Sequence, residues 1–181
     1  MSFSNPAASA KDSAPAYRRA LFALLGDQDS LTVMAEQPEV LRSLTDGADP
    51  AVLRCPEFPG KWSVQDVLQH LVDTETVYAV RYRLVVAQDR PEITGFDQDR
   101  WATDLAYADD DREVLLHELA TVRRRNLRLL RGLPQSAFAR VGLHAERGEE
   151  TLDDMVRLGA AHDLVHRAQI ERILKTVQAQ S

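Results

Sequence analysis

The stretch Ala160-Ala161-His162-Asp163-Leu164-Val165-His166-Arg167-Ala168-Gln169-Ile170-Glu171-Arg172 decides how this chain is read. It holds no Gly or Pro and is bracketed by strong helix formers, so it predicts a helix. Residues four apart stack on one helical face, which sets His162 over His166. That face is the apolar one: counted from His162, Met155, Leu158, Gly159, Gln169 and Ile173 all fall within about 60° of it. Imidazoles inside a core stripe need partners, because each buried polar group left unpaired costs about 1–3 kcal/mol. The pair's spacing suits one metal ion. Gly159, one turn earlier on the same face, removes bulk where an open coordination position or a substrate could sit.

Outward from this stretch the chain reads as helices. Thr151 caps the histidine helix, with Asp154 three residues on, and the helix runs to about Gln178. Before it, Pro134 to Glu150 reads as a loop. A third long helix is expected over about Asp111–Arg131, with Leu115, Leu119, Val122, Leu129 and Leu133 as its seam and Gly132 as its stop. Its acids come first and Arg123, Arg124, Arg125, Arg128 and Arg131 last, which complements the helix dipole. That arginine run reads as a solvated face rather than an anion or nucleic-acid patch. The second long helix starts at the N-cap Ser63 with Asp66 three residues on and runs to about Gln88, ~39 Å at 1.5 Å per residue. Val64, Val67, Leu68, Leu71, Tyr78, Tyr82 and Val85 form its stripe. Glu75 projects into the middle of that stripe and His70 lies on its flank.

The N-terminal part is less regular. Residues 1–13 carry no periodicity and are expected to be a disordered tail ahead of a single domain over 14–181. A helix is expected from Pro15 to Gly26, followed by a broken pair of runs at Ser30–Ala35 and Pro38–Leu44. Residues 49–60, with Pro50, Pro56, Pro59 and Gly60, read as a loop. Residues 89–110 show no sustained period. A connection of that length, able to reach about 70 Å when extended, can carry the chain back along the second helix so that the third runs parallel to it. The result is an all-α four-helix bundle with a crossover. No strand-like run is long enough to matter.

Composition narrows the function. The chain of 181 residues is 44% hydrophobic and 28% charged, as expected of one helix-rich globular domain. A net charge of −6 gives no general attraction for phosphate backbones, so nucleic acid is not an expected partner. Cys55 is the single cysteine, which excludes an intrachain disulfide and a Cys-rich zinc finger; beside Pro56 in a loop, it is not proposed as a nucleophile. Met1–Ala14 lacks the form of a signal peptide, and no stretch approaches the ~20 apolar residues of a membrane span. A soluble cytoplasmic protein is expected.

Of the five histidines, His117 points away from its seam and reads as exposed. His144, in the loop before the last helix, reads as a surface residue that could overhang the site. His70 is the natural third partner for His162 and His166, since it lies near the first turns of its helix at the edge of a buried stripe. The stretch His162–His166 shares its histidine spacing with the H-E-x-x-H of zincins. Asp163 stands where that motif has its glutamate base, one methylene shorter, which argues against a metalloprotease. Glu75 is a candidate second-sphere acid or general base; its alternative is a salt bridge to Arg125.

Two stretches carry a family resemblance. Lys61-Trp62-Ser63-Val64-Gln65-Asp66-Val67-Leu68-Gln69-His70-Leu71 resembles the entry to the second helix of the DinB/YfiT-like superfamily of metal-dependent enzymes. Gly148-Glu149-Glu150-Thr151-Leu152, followed by Ala161-His162-Asp163-Leu164-Val165-His166-Arg167-Ala168-Gln169-Ile170, resembles its C-terminal signature. The likeness covers roughly residues 15 to 178. It implies an up-down-down-up four-helix bundle and a divalent metal, zinc or nickel, on His70, His162 and His166. It also implies a homodimer and a small-molecule substrate. Three neutral imidazoles with an open position describe a catalytic rather than a structural site. The reaction expected is therefore activation of water or of a low-molecular-weight thiol, by a hydrolase or a thiol S-transferase. The alternative is a non-catalytic metal-binding bundle serving stability, sensing or a stress response.

Overall fold

The computed structural model describes residues 10–105, 107 and 110–179, with side chains from residue 15 onward. Residues 1–9 of the expected tail lie outside the described residues. Helix α1 (Ala10–Leu25) begins earlier than expected, at Ala10, so that Pro15 falls inside it; it stops at Gly26, whose φ of 58° is the left-handed conformation glycine adopts freely.

Helix α2 (Ser30–Thr45) is unbroken, with Asp29 accepting the Thr32 N–H at its start. The expected break at Pro38 does not occur. A proline frees the carbonyl four residues earlier, and here the Met34 carbonyl accepts Nη1 of Arg123 at 2.6 Å instead. The expected loop at 49–60 also contains a short helix, α3 (Pro50–Arg54), because Asp49 caps it and Pro50 takes the first helical position, where its missing N–H costs nothing.

Helix α4 (Val64–Ala87) carries the expected capping box between Ser63 and Asp66. The long connection after it is not featureless: it holds strand β1 (Glu92–Ile93) and helix α5 (Gln98–Asp104). Helix α6 (Arg112–Arg131) ends at Gly132 as read. Past a 3-10 turn at Gln135–Ala139 come strands β2 (Val141–His144) and β3 (Gly148–Thr151), then helix α7 (Leu152–Gln178) with its Thr151–Asp154 capping box.

The strands correct the expectation that none mattered. β1 pairs parallel with β2, Ile93 facing His144, and β2 pairs antiparallel with β3. Runs of two and four residues are too short for a period of two to show. Arg140 ties this small sheet to the end of α4, donating to the carbonyls of Val85 and Gln88 at 2.7 and 2.6 Å. Gly142 fits because a Cβ there would stand 2.9 Å from both Ile93 and Val85 side-chain carbons.

Helices α2, α4, α6 and α7 form a four-helix bundle, with α1 against α7. Contacts between α4 and α6 advance in step along both: Gln65 with the Asp110 carbonyl, Glu75 with Arg123, Arg83 with Asn126. Between α4 and α7 they run oppositely, His70 meeting His162 while Tyr82 lies by Gly159. The core has two apolar clusters. One gathers Leu25, Met34, Tyr82, Leu130 and Met155; the other gathers Leu41, Leu68, Leu115, Leu119 and Ile173. Each bundle helix crosses from one cluster to the other at a buried polar residue: Gln37, Glu75, Arg123 and Asp163. The histidines flank this polar layer.

Candidate metal centre

The polar layer is a closed set of hydrogen bonds. Arg123 Nη1 and Nη2 donate to the two oxygens of Asp163 at 2.6 and 3.2 Å, and its Nε donates to Glu75 Oε2 at 2.7 Å. Asn126 Nδ2 donates to the other Glu75 oxygen at 2.7 Å. Gln37 donates to the Asp163 carbonyl at 3.0 Å and accepts from Arg167. Burial alone would depress the Arg123 guanidinium, but Asp163 and Glu75 outweigh it and hold it charged. Burial pushes the Asp163 carboxyl up to about 6 against the pull of Arg123.

Two expectations change here. Glu75 has its salt bridge, but to Arg123 and not to Arg125, which is exposed. Its two oxygens accept from Arg123 and Asn126, which ties it into the polar layer. Arg123, expected on a solvated face, is 4% exposed. It lies four residues after the seam residue Leu119, a spacing that places it on the buried stripe. Asp163 likewise turns to Arg123, so the likeness to the zincin base ends at the spacing.

Above this layer the three expected histidines meet. His162 Nε2 lies 3.1 Å from His70 Nε2 and 3.1 Å from His166 Nε2, and the three ligand atoms all fall within 4.8 Å of one another. His70 is buried, whereas His162 and His166 are half-buried. Burial lowers the basicity of all three rings, for His162 with help from the neighbouring rings and Arg123, and for His166 down to about 4. All are therefore neutral near pH 7.

The donor set fits a metal ion. Gln169 Oε1 lies 2.7 Å from His166 Nδ1. An oxygen only accepts, so Nδ1 holds the proton and Nε2 presents its lone pair, the arrangement of a ligating histidine with an outer partner. A single N–H on His162 Nε2 could satisfy one neighbouring nitrogen but not two. Bonds of about 2.0–2.1 Å to a shared cation set ligand nitrogens about 2.9–3.4 Å apart, which brackets the two 3.1 Å spacings made by His162. His70 is further fixed by Trp62 and Phe96, with ring centroids 5.0 and 6.4 Å from its own.

Gly159 lines a small cavity beside His162, and the Tyr82 hydroxyl faces it there. A Cβ on Gly159 would lie 3.2 Å from the Tyr82 hydroxyl. That hydroxyl has no hydrogen-bond partner among the described residues and shares the cavity, of about 10 Å³, with Glu75, Arg123, His162 and Asp163. His117 is exposed as read. His144 is not a surface residue: it is 3% exposed at the end of β2, where pairing with β1 covers it. Sequence reasoning passed over Gln37, Asn126 and Gln169 as site residues. Gln169 carried a signal, since it lies on the histidine face three residues after His166.

A bundle with three convergent imidazoles on two of its helices defines the class of protein: a helical bundle built around a candidate metal centre. The chain belongs to the DinB superfamily, whose profile matches residues 34–170. It is 26% identical over 146 residues to a Bacillus pumilus protein named "Putative metal-dependent hydrolase", covering 80% of this chain and 83% of that protein. A Bacillus mycoides protein of the same description is 29% identical over 132 residues, 73% of this chain and 75% of its own length. Among solved structures, YfiT from Bacillus subtilis superposes with a TM-score of 0.76 at 25% identity, covering 81% of this chain and 84% of YfiT. It is described as "a probable metal-dependent hydrolase with an unusual four-helix bundle topology". Among the described residues no helix is long and apolar enough to cross a membrane.

Proposed function

We propose that this chain is a metal-dependent hydrolase that holds a divalent cation on His70, His162 and His166 and acts on a small organic substrate. The observation that carries this reading is the meeting of three imidazole nitrogens, one with its tautomer set by Gln169. A divalent cation supplies Lewis acidity, which polarises a carbonyl and acidifies a water or a thiol. The chain's own residues do the rest. Burial keeps the rings neutral and ready to ligate, Gln169 orients His166, and Trp62 and Phe96 hold His70. Nitrogen donors suit zinc or nickel. A low-molecular-weight thiol entering in place of water would make the same centre a thiol S-transferase.

The test is metal analysis of the protein reconstituted with zinc or nickel, beside His70→Ala, His162→Ala and His166→Ala. Assays then follow simple esters and amides, and electrophiles with mycothiol, bacillithiol or glutathione. The expected result is about one ion per chain, lost in each variant, with metal-dependent ester or amide cleavage. No bound metal, or equal occupancy in all three variants, would overturn the site. Turnover only with a thiol would move the reaction to the S-transferase, and a loaded but inert protein would leave a stability or sensing role.

A further inference from the structure

Three aromatic side chains surround the His70 edge of the centre, and none comes from the interior of a bundle helix. Trp62 precedes α4, while Phe96 and Trp101 belong to the connection between α4 and α6, with Trp101 in α5. Trp62 and Phe96 pack on the His70 ring, and Trp101 continues the wall with its centroid 4.7 Å from that of Phe96. All three rings are half-buried, so each still offers apolar surface to solvent. That surface extends along both segments: Phe58 is 58% exposed and Leu105, one turn beyond Trp101, is 56% exposed. The chain has two tryptophans in all, and both are here. Large rings left half in water beside a reactive centre mark a place where an apolar ligand replaces that water.

The charges around the wall narrow the ligand. Arg100 is bound to Asp104 at 3.0 Å, and Arg172 is held by both oxygens of Glu57 at 2.9 and 2.8 Å. Asp97 and Asp99 add exposed negative charge at the start of α5. Lys61 is a cation beside Trp62 in sequence, but a phosphate or carboxylate would also meet engaged arginines and the exposed Asp97 and Asp99 there. An uncharged ring would meet three aromatic faces.

We propose that Trp62, Phe96 and Trp101 form the subsite for a planar, uncharged aromatic group of the substrate. The inference rests on the hydrolase reading only in taking the histidine cluster as the reacting centre. Its test therefore measures binding without turnover. The metal-loaded protein is titrated calorimetrically with 2-naphthol and with its saturated counterpart decahydro-2-naphthol, while tryptophan emission reports the site. The expected result is about tenfold tighter binding of the aromatic alcohol, with an emission change. In Trp101→Leu, which keeps apolar bulk and removes a ring packed on Phe96 rather than on His70, that preference falls to below about threefold at unchanged metal stoichiometry and circular dichroism. Equal affinity for the two alcohols, or a preference unaffected in Trp101→Leu, would overturn the subsite. Selective naphthol binding without cleavage of naphthyl acetate would retain the subsite and remove the hydrolase. Metal-dependent cleavage of alkyl and aryl esters alike, with no binding preference, would do the reverse.

Discussion

Arg123 grips both carboxylate oxygens of Asp163, and Asp163 is the residue that follows His162 in α7. The ion pair that crosses the bundle therefore also sets the height and rotation of α7 at the point where it offers a histidine to the centre. Replacing Arg123 with Met leaves Glu75 and Asp163 buried without their counter-ion and the Met34 carbonyl without its donor. Breaking a buried pair from one side costs about 3–5 kcal/mol. Urea unfolding of Arg123→Met should show a loss of that order, while Arg125→Ala, on the exposed face, should stay within about 0.5 kcal/mol of the parent. Similar losses in the two variants would remove Arg123 from its structural role.

Gln169 acts on the centre through His166 alone. Gln169→Leu keeps the size of the side chain and removes the acceptor for Nδ1–H, freeing the ring to rotate and to change tautomer. Losing an outer partner of this kind weakens metal binding about 10–100-fold. Chelator competition should show that drop, while the stability of the metal-free protein changes little because Gln169 is half-buried. Unchanged affinity would mean that the Gln169 contact does not orient the ligand.

His144 predicts a pH dependence remote from the centre. Its Nδ1 accepts the Glu146 N–H at 3.2 Å, so the neutral ring carries its proton on Nε2, which has no partner among the described residues. Burial first, then the positive charge of Arg147, push its pKa down to about 4; Glu150 pulls the other way and Arg81 adds to the depression. An unfolded histidine titrates near 6.5. Between about 6.5 and 4 the unfolded chain thus binds a proton the folded chain refuses, and stability falls as the pH is lowered through that window. His144→Gln removes this contribution. Denaturation midpoints of the parent and variant should converge as the pH falls from 7 to 4, if the variant starts the less stable, and a constant difference would refute the assignment.

The parts of the molecule legible in the sequence were those with a long period or a local cap. Ser63 with Asp66 and Thr151 with Asp154 marked the starts of α4 and α7 to the residue, and Gly132 marked the end of α6. The histidine face was legible because His162 and His166 share it with Met155, Leu158 and Ile173 on one helix. What stayed hidden depends on partners distant in the chain. Pro38 reads as a break until Arg123, on another helix, is seen to take the carbonyl it frees. Arg123 reads as solvated until Glu75 and Asp163, from two more helices, close around it. His144 reads as a loop residue because the strands that bury it are too short to show alternation. Local periodicity reports which face of an element is buried. It does not report which charged groups meet there.

Gly159 and Tyr82 make the last relationship a test of packing. Alanine in a helix interior is favoured over glycine by about 1 kcal/mol, so Gly159→Ala should stabilise α7 if space allowed. The added Cβ would sit 3.2 Å from the Tyr82 hydroxyl, and Tyr82 is fully buried with little freedom to withdraw. In the parent the gain should therefore vanish or turn into a small loss. Tyr82→Phe removes the hydroxyl, which has no partner to lose among the described residues, so it should itself be neutral or slightly stabilising. Adding Gly159→Ala to Tyr82→Phe should then recover most of the helix preference. The double-mutant cycle should give a coupling of at least about 0.5 kcal/mol, with metal stoichiometry unchanged throughout, since neither residue supplies a ligand. Additive effects would show that the Tyr82 ring moves aside freely, and that the glycine is not there to make room for it.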